Sequence, residues 1–145
     1  MIYKRKPRGF NAKFEVVSCF LEHGGKILLL HRQDHKPQGD TWGPPAGKIE
    51  DCETPIKALL RELREETSHT VSEKHGLIYF DKVYVRYPTF DFVFHIFQLP
   101  LENRPRVAIN PTEHKKFIWV SPKNALKMNL IHDLDNCIKL LYKLT

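Results

Sequence analysis

The chain has 145 residues, a formal net charge of +6, 41% hydrophobic residues and 28% charged residues. This length predicts one domain over residues 1–145 with a sizeable core, and the composition is ordinary for a soluble globular protein. No long uncharged apolar run is present, which excludes a membrane-spanning helix, and no signal-peptide core follows the N-terminus, so we expect a cytoplasmic protein.

Basic residues are concentrated near the N-terminus. They are Lys4, Arg5, Lys6 and Arg8. An excess of positive charge favours polyanionic partners, either nucleotides or nucleic acid. A solvated basic terminus that binds nothing in particular is the alternative interpretation.

The first predicted elements form a hairpin. Residues 13–21 are rich in Val and Phe and are typical of a strand, and residues 26–31 are typical of a second, buried strand. Gly24 and Gly25 predict a turn between them. Residues 33–45, which contain two glycines and three prolines, are expected to form a loop.

The helix that follows has a clear start signal. Thr54 is a good N-cap, and Pro55 suits the first helical position because its missing N–H is not needed there. Apolar residues then recur with the period of one helical face. They are Ile56, Leu59, Leu60 and Leu63. We therefore expect one side of this helix to face a core.

Acidic side chains occupy another face of the same helix. Glu62, Glu65 and Glu66 project together, and Glu53 lies just before the helix. The helical projection places three basic residues on the opposite flank. They are Lys57, Arg61 and Arg64. Converging carboxylates suit a hard cation such as Mg²⁺ or Mn²⁺, although acidic faces are also common on solvated helices.

The rest of the chain adds strands and two more helices. Residues 75–84, 90–99 and 116–120 are strand-like, and the aromatics of the second segment could either stack on a base or pack in a core. Ser121 and Pro122 predict a helix start, and residues 133–143 predict a final amphipathic helix. Because strands and helices do not alternate regularly, we expect a mixed α/β fold rather than a doubly wound sheet.

The central stretch resembles the Nudix box, G-x5-E-x7-R-E-U-x-E-E-x-G-U, in which U is a bulky apolar residue. Seven positions match in register: Gly47, Glu53, Arg61, Glu62, Leu63, Glu65 and Glu66. The match fails at its end, where Ser68 replaces Gly and His69 replaces an apolar residue. These departures put the turn after the helix in doubt, but they leave the carboxylates in place.

The resemblance implies an α/β/α sandwich with a mixed sheet and a loop–helix–loop box. It also implies Mg²⁺-dependent hydrolysis of a nucleoside diphosphate linked to another group, with Mn²⁺ as a substitute. The compact chain looks most like MutT-like enzymes that convert a normal or oxidised nucleoside triphosphate to the monophosphate and pyrophosphate. Dinucleoside polyphosphates, RNA 5′ ends and a non-catalytic nucleotide-binding role are the alternatives. Homodimers are frequent among such proteins.

The resemblance also assigns metal ligands. Glu62, Glu65 and Glu66 are expected to bind the metal, Glu53 is expected to be an outer or additional ligand, and the Ala46 carbonyl is a further candidate.

Other side chains would complete the site. Arg61 is expected to orient the carboxylates by pairing with Glu53 or Glu65, and Arg32 and Gly47 are candidate substrate-binding residues. Glu62 is the candidate general base within the box, and Glu113 is the candidate outside it.

Overall fold

The computed structural model describes residues 1–71 and 76–145. Its elements are β1 (Ile2–Tyr3), β2 (Ala12–His23), β3 (Lys26–Arg32), β4 (Trp42–Gly43), β5 (Ala46–Lys48), α1 (Pro55–Thr67), β6 (Ile78–Arg86), β7 (Asp91–Pro100), β8 (His114–Val120), α2 (Pro122–Ala125) and α3 (Leu134–Tyr142).

The strands form one mixed sheet in the order β1-β6-β7-β2-β3-β4, with β5 added to β2 and β8 added to β3. The long strands β2 and β7 run parallel, whereas the other strand pairs of the described residues are antiparallel. Because strand side chains alternate between the two faces, β2 and β7 each contribute to two separate cores.

A helix covers each face of this sheet. On one face, Leu59 and Leu63 of α1 pack against Val17 and neighbouring strand residues. On the other face, Leu134 and Ile138 of α3 belong to a second core. The predicted α/β/α sandwich with a mixed sheet is therefore confirmed.

Most predicted elements are present. The hairpin of β2 and β3 is confirmed, and α1 begins as expected, because the Thr54 hydroxyl accepts a hydrogen bond from the Lys57 amide at 3.2 Å. The strand predicted from residue 75 begins at Ile78 in the structure, and His75 itself lies outside the described residues. None of the helices in the two described ranges is long and apolar enough to cross a bilayer.

The structure corrects one local prediction and adds detail to two others. The N-terminus is not only a solvated tail, because Ile2 and Tyr3 pair with β6. The loop predicted over residues 33–45 contains the short strand β4, which pairs with β3. The predicted helix start at Ser121 and Pro122 is confirmed, and this helix is one turn long. Two-residue strands and one-turn helices carry too few residues for a periodic sequence signal.

Candidate functional site

A cavity of about 650 Å³ opens on the face of the sheet that α3 covers. Acidic residues of α1 lie at one end, beside β5, and aromatic residues of β2 and β7 line its floor. Cavities of this size that combine apolar walls with a few charged groups are typical small-molecule sites. This cavity is therefore our candidate functional site.

Helix α1 brings three of the four predicted carboxylates to the cavity. Glu62, Glu65 and Glu66 line it, and Glu66 is buried whereas Glu65 is exposed. Glu53 is not among the lining residues, since both of its carboxylate oxygens are bound by Arg61 at 2.8 and 2.9 Å. Glu53 is thus linked to Glu62 and Glu65 through the guanidinium of Arg61.

Arg61 pairs with Glu53 and Glu65 as expected, although the helical projection places it on the opposite flank. Its guanidinium donates to Glu62 at 2.7 Å, to Glu65 at 3.4 Å and to the Lys48 carbonyl at 3.1 Å, besides Glu53. A helical projection gives the direction of Cβ but not the reach of a long side chain. The two hydrogen bonds from Arg61, with one from the Glu50 amide, lower the pKa of Glu53 to about 2.

Gly47 allows β5 to approach α1 closely. A Cβ atom at this position would lie 2.1 Å from the Glu62 carboxyl group. The neighbouring residue Ala46 donates its amide to Glu66 at 2.8 Å. Strand β5 therefore leaves room for the Glu62 carboxylate and binds the Glu66 carboxylate through its backbone.

Buried Glu66 and half-buried Glu62 lack full charge compensation. Burial raises the pKa of Glu66 well above its usual value, and the charges of Glu62 and Glu113 raise it further. Burial also raises the pKa of Glu62, although Arg61 opposes this shift. A carboxylate that is removed from water and lacks a paired cation tends either to take up a proton or to bind a cation.

The donor set fits a magnesium ion that is shared with a substrate. In residues 1–71 and 76–145, no group of three Asp, Glu, His or Cys side chains forms a preassembled metal cage. Mg²⁺ usually binds through one or two carboxylates together with waters and substrate phosphates, so it does not require such a cage. The carboxylates of Glu62 and Glu66 and the carbonyl of Ala46 provide the hard oxygen atoms that this ion prefers.

The predicted residues outside the box also lie at the cavity. Arg32 lines it and donates its Nε to the Pro37 carbonyl at 2.9 Å. Glu113 lines it too and accepts a hydrogen bond from Lys36 at 2.9 Å. Glu113 therefore lines the same cavity as Glu62 and Glu66, and its charge contributes to the raised pKa of both.

The departure at Ser68 does not disrupt the end of α1. Ser68 adopts the left-handed conformation, with φ of 62°, which the usual glycine would adopt. Its amide donates to the Arg64 carbonyl at 3.0 Å, and its hydroxyl donates to the Ala108 carbonyl at 3.1 Å. The turn geometry is therefore retained with serine.

The aromatic floor was only partly visible in the sequence. Phe92 and Phe94 of β7, Phe14 of β2 and Tyr87 line the cavity, and Phe14 stacks on Phe92 with ring centroids 5.5 Å apart. The period-two alternation of β7 could have separated Phe92 and Phe94 from Phe97, which packs in the opposite core. The contribution of Phe14 depends on the parallel pairing of β2 with β7, for which the sequence carries no local signal.

Comparison with known proteins points to one family. The model of the NUDIX domain matches residues 13–141. The chain is 33% identical over 120 residues to a CTP pyrophosphohydrolase of Escherichia coli, covering 80% of this chain and 82% of that protein. It is 28% identical over 141 residues to a dihydroneopterin triphosphate diphosphatase of Haemophilus influenzae, covering 89% and 86%.

A solved structure of the MutT protein from Methanosarcina mazei has the same fold. It superposes with a TM-score of 0.75 at 21% identity, covering 90% of this chain and 93% of that one.

Proposed function

Because the chain belongs to the NUDIX domain family, we propose that it is a pyrophosphohydrolase that converts a nucleoside triphosphate to the monophosphate and pyrophosphate. The observation that carries this proposal is the pair of carboxylates of half-buried Glu62 and buried Glu66 at one end of an aromatic-lined cavity. Two relatives are named for CTP and dihydroneopterin triphosphate, which share a triphosphate rather than a base. The triphosphate is therefore the part of the substrate that we assign to the acidic end.

The acidic end would hold the metal ion. The carboxylates of Glu62, Glu65 and Glu66 and the carbonyl of Ala46 would bind Mg²⁺, with Mn²⁺ as a substitute. When bound, the ion would supply neutralisation of phosphate charge and activation of water. Arg61 orients Glu62 and Glu65, and Glu53 holds Arg61 in turn.

The remaining residues bind the substrate and accept the proton. Arg32, a permanently charged guanidinium at the cavity wall, would bind phosphate oxygens. A water attacks a phosphorus atom, the bond to the leaving pyrophosphate breaks, and the water proton moves to Glu62 or Glu113. We propose that this single domain spans residues 1–145 and acts on free nucleotides in the cytoplasm.

The test is phosphate release from normal and oxidised nucleoside triphosphates, dinucleoside polyphosphates and ADP-ribose with Mg²⁺, Mn²⁺ or chelator. Replacing Glu66→Gln keeps an acceptor for the Ala46 amide but removes the charge, so kcat/KM should fall at least about 100-fold. Glu102→Gln, an exposed substitution in the loop before β8, is the matched control.

Two outcomes would contradict the proposal. A folded Glu66→Gln variant with full activity would show that the Glu66 carboxylate takes no part in the reaction. Nucleotide binding without phosphate release under any divalent metal would instead indicate a non-catalytic binding module.

A further inference from the structure

We propose that Lys36 is a positioning residue, which holds the Glu113 carboxylate at the cavity so that this carboxylate accepts the proton of the attacking water. Lys36 lies in the loop between β3 and β4, outside the Nudix box, and its ammonium group donates to Glu113 Oε1 at 2.9 Å. The inference rests on the proposed function and deepens it, because it chooses between Glu62 and Glu113 as the proton acceptor.

The two candidate acceptors differ in how their oxygen atoms are occupied. Glu62 accepts a hydrogen bond from Arg61 at 2.7 Å, and its carboxylate is also assigned to the metal ion. Within the described part of the chain, the Glu113 carboxylate has Lys36 as its donor at Oε1 and no donor at Oε2. A general base needs an oxygen atom that is free to bind the water, so this arrangement favours Glu113.

Neighbouring acids would repel Glu113 if Lys36 were absent. The charge of Glu113 contributes to the raised pKa of Glu62 and of Glu66, so these two acids act on Glu113 in return. The imidazole of His114 does not offset this repulsion, because burial lowers its pKa to about 4 and leaves it neutral near pH 7. Lys36 is therefore the cation that keeps Glu113 in place beside the other acids.

Arg32, a second cation at this wall of the cavity, has a different partner. Its Nε donates to the Pro37 carbonyl at 2.9 Å and not to a carboxylate. Arg32 lines the cavity, whereas Lys36 is not among the described residues that line it. The two cations therefore have separate roles, because Arg32 can reach a substrate phosphate and Lys36 is engaged with Glu113.

The backbone fixes Lys36 and Glu113 relative to each other. The Gln33 amide donates to the Glu113 carbonyl at 3.0 Å, and the Gln33 side chain donates to the Pro111 carbonyl at 2.8 Å. The Lys36 amide donates in turn to the Gln33 carbonyl at 3.2 Å. The Glu113 amide donates to the Asn110 carbonyl at 3.0 Å. The pair is therefore held by two connected segments, unlike most ion pairs between flexible surface side chains, which contribute little.

Glu113 would act once in each turnover. The water oxygen forms a bond to phosphorus, the bond to the leaving pyrophosphate breaks, and the bridging oxygen keeps the electron pair. The water proton moves to Oε2 of Glu113, which then releases it to solvent. Without Lys36 the carboxylate is still present but no longer oriented, so the rate of the chemical step should fall while substrate binding is kept.

Lys115 provides a matched control, because it fastens the same loop through other acids. Its ammonium group donates to Asp34 at 2.7 Å and to Asp40 at 3.0 Å, and neither aspartate belongs to the cavity lining. A loss of activity that comes only from a loosened loop should therefore appear in Lys115→Met as well as in Lys36→Met.

The experiment is a double-mutant cycle, measured with ATP, CTP, GTP, UTP and 8-oxo-dGTP in the presence of Mg²⁺. The variants are Lys36→Met, Glu113→Gln, the double variant, Lys36→Arg and Lys115→Met, and urea unfolding checks that each one is folded. Lys36→Met should lower kcat about tenfold or more and leave KM within about twofold of wild type, because only the orientation of the base is lost. Lys36→Arg, which keeps the charge, should recover most of kcat.

The coupling between the two residues is the decisive result. Glu113→Gln should lower kcat at least about 100-fold. In the Glu113→Gln background, Lys36→Met should change kcat by less than about threefold, because positioning has no effect once the base is gone. Lys115→Met should leave kcat and KM within about twofold of wild type. If Lys36→Met does not fold, Lys36→Gln takes its place in the cycle.

Other results would overturn the proposal. Losses from Lys36→Met and Glu113→Gln that multiply in the double variant would show that Lys36 does not act through Glu113. A raised KM with unchanged kcat would make Lys36 a substrate-binding residue, and equal losses in Lys36→Met and Lys115→Met would make it a loop fastener. If the wild type hydrolyses no triphosphate with any metal, the proposed function fails and this inference fails with it. Hydrolysis by the wild type without coupling between the two residues overturns this inference alone.

Discussion

The two faces of the sheet differ in how completely they are packed, although the same strands form both. On the face of α1, alternate residues of β2 such as Val17, Cys19 and Leu21 are fully buried. On the face of α3, Phe14 and Val16 of the same strand are only half-buried and line the cavity. The difference shows that the site lies where the second core is left incomplete, so core and site can be separated by mutation.

A pair of truncations tests this separation. Leu63→Ala on the closed face should lower the free energy of unfolding by about 2–5 kcal/mol, because the structure around a fully buried leucine relaxes only partially. Phe14→Ala on the open face should cost about 1 kcal/mol, as expected for a half-buried side chain. Urea unfolding measures both values.

Phe14→Ala should reduce activity more than Leu63→Ala does, although it reduces stability less. If Phe14 stacks on a base, its removal should raise KM by about tenfold, since base–aromatic stacking contributes roughly 1–3 kcal/mol. Leu63→Ala should leave KM nearly unchanged for the molecules that remain folded. Equal losses of stability from the two truncations would contradict the comparison of the faces.

Gly47→Ala should affect the site without affecting the core. The new methyl group would displace the Glu62 carboxylate, which is the flexible end of a side chain, so stability should change little. Activity should fall by about 100-fold, because displacing a reacting group by about 1 Å can have that effect. Unchanged kcat/KM would show that the position of Glu62 does not matter for the reaction.

The pH dependence of the Glu53→Gln variant's stability tests whether ionised Glu53 holds Arg61 in place at the acidic end of the cavity. Arg61 holds the folded-state pKa of Glu53 near 2, below its unfolded value of about 4.3. The ionised carboxylate therefore contributes stability above pH 5, and this contribution is lost as the pH falls towards 2. The melting temperatures of wild type and variant should differ by a few degrees at pH 7 and approach each other only near pH 2. A difference that is the same at both values would contradict the role of Glu53 as the ionised partner of Arg61.

The sequence predicted best what depends on neighbouring residues. Local signals were sufficient for the start of α1 at Thr54 and for the convergence of Glu62 and Glu66, because both follow from helical geometry. The resemblance to a known motif added Gly47 and Arg61, whose contacts with Glu62 the structure now describes.

Features that depend on distant residues were missed. The aromatic floor requires β2 to pair with β7 across more than seventy residues, and the short strand β1 forms only by pairing with β6. Such pairings are set by the hydrophobic pattern of the whole sheet and not by any one segment. The site was therefore predictable at its acidic end and not at the end that would select the substrate.

The smallest effect is expected at Ser68, where local sequence and motif disagree. A left-handed conformation costs a residue with a Cβ roughly 1 kcal/mol relative to glycine, whereas the exposed hydrogen bond to Ala108 returns about 0.5–1 kcal/mol. Ser68→Gly should therefore change the free energy of unfolding by less than about 1 kcal/mol, and Ser68→Ala should lower it because it keeps the strain and loses the hydrogen bond. Neither variant should alter kcat/KM, since Ser68 does not line the cavity. A gain of activity on reverting Ser68 to the glycine of the motif would instead show that the end of α1 limits the reaction.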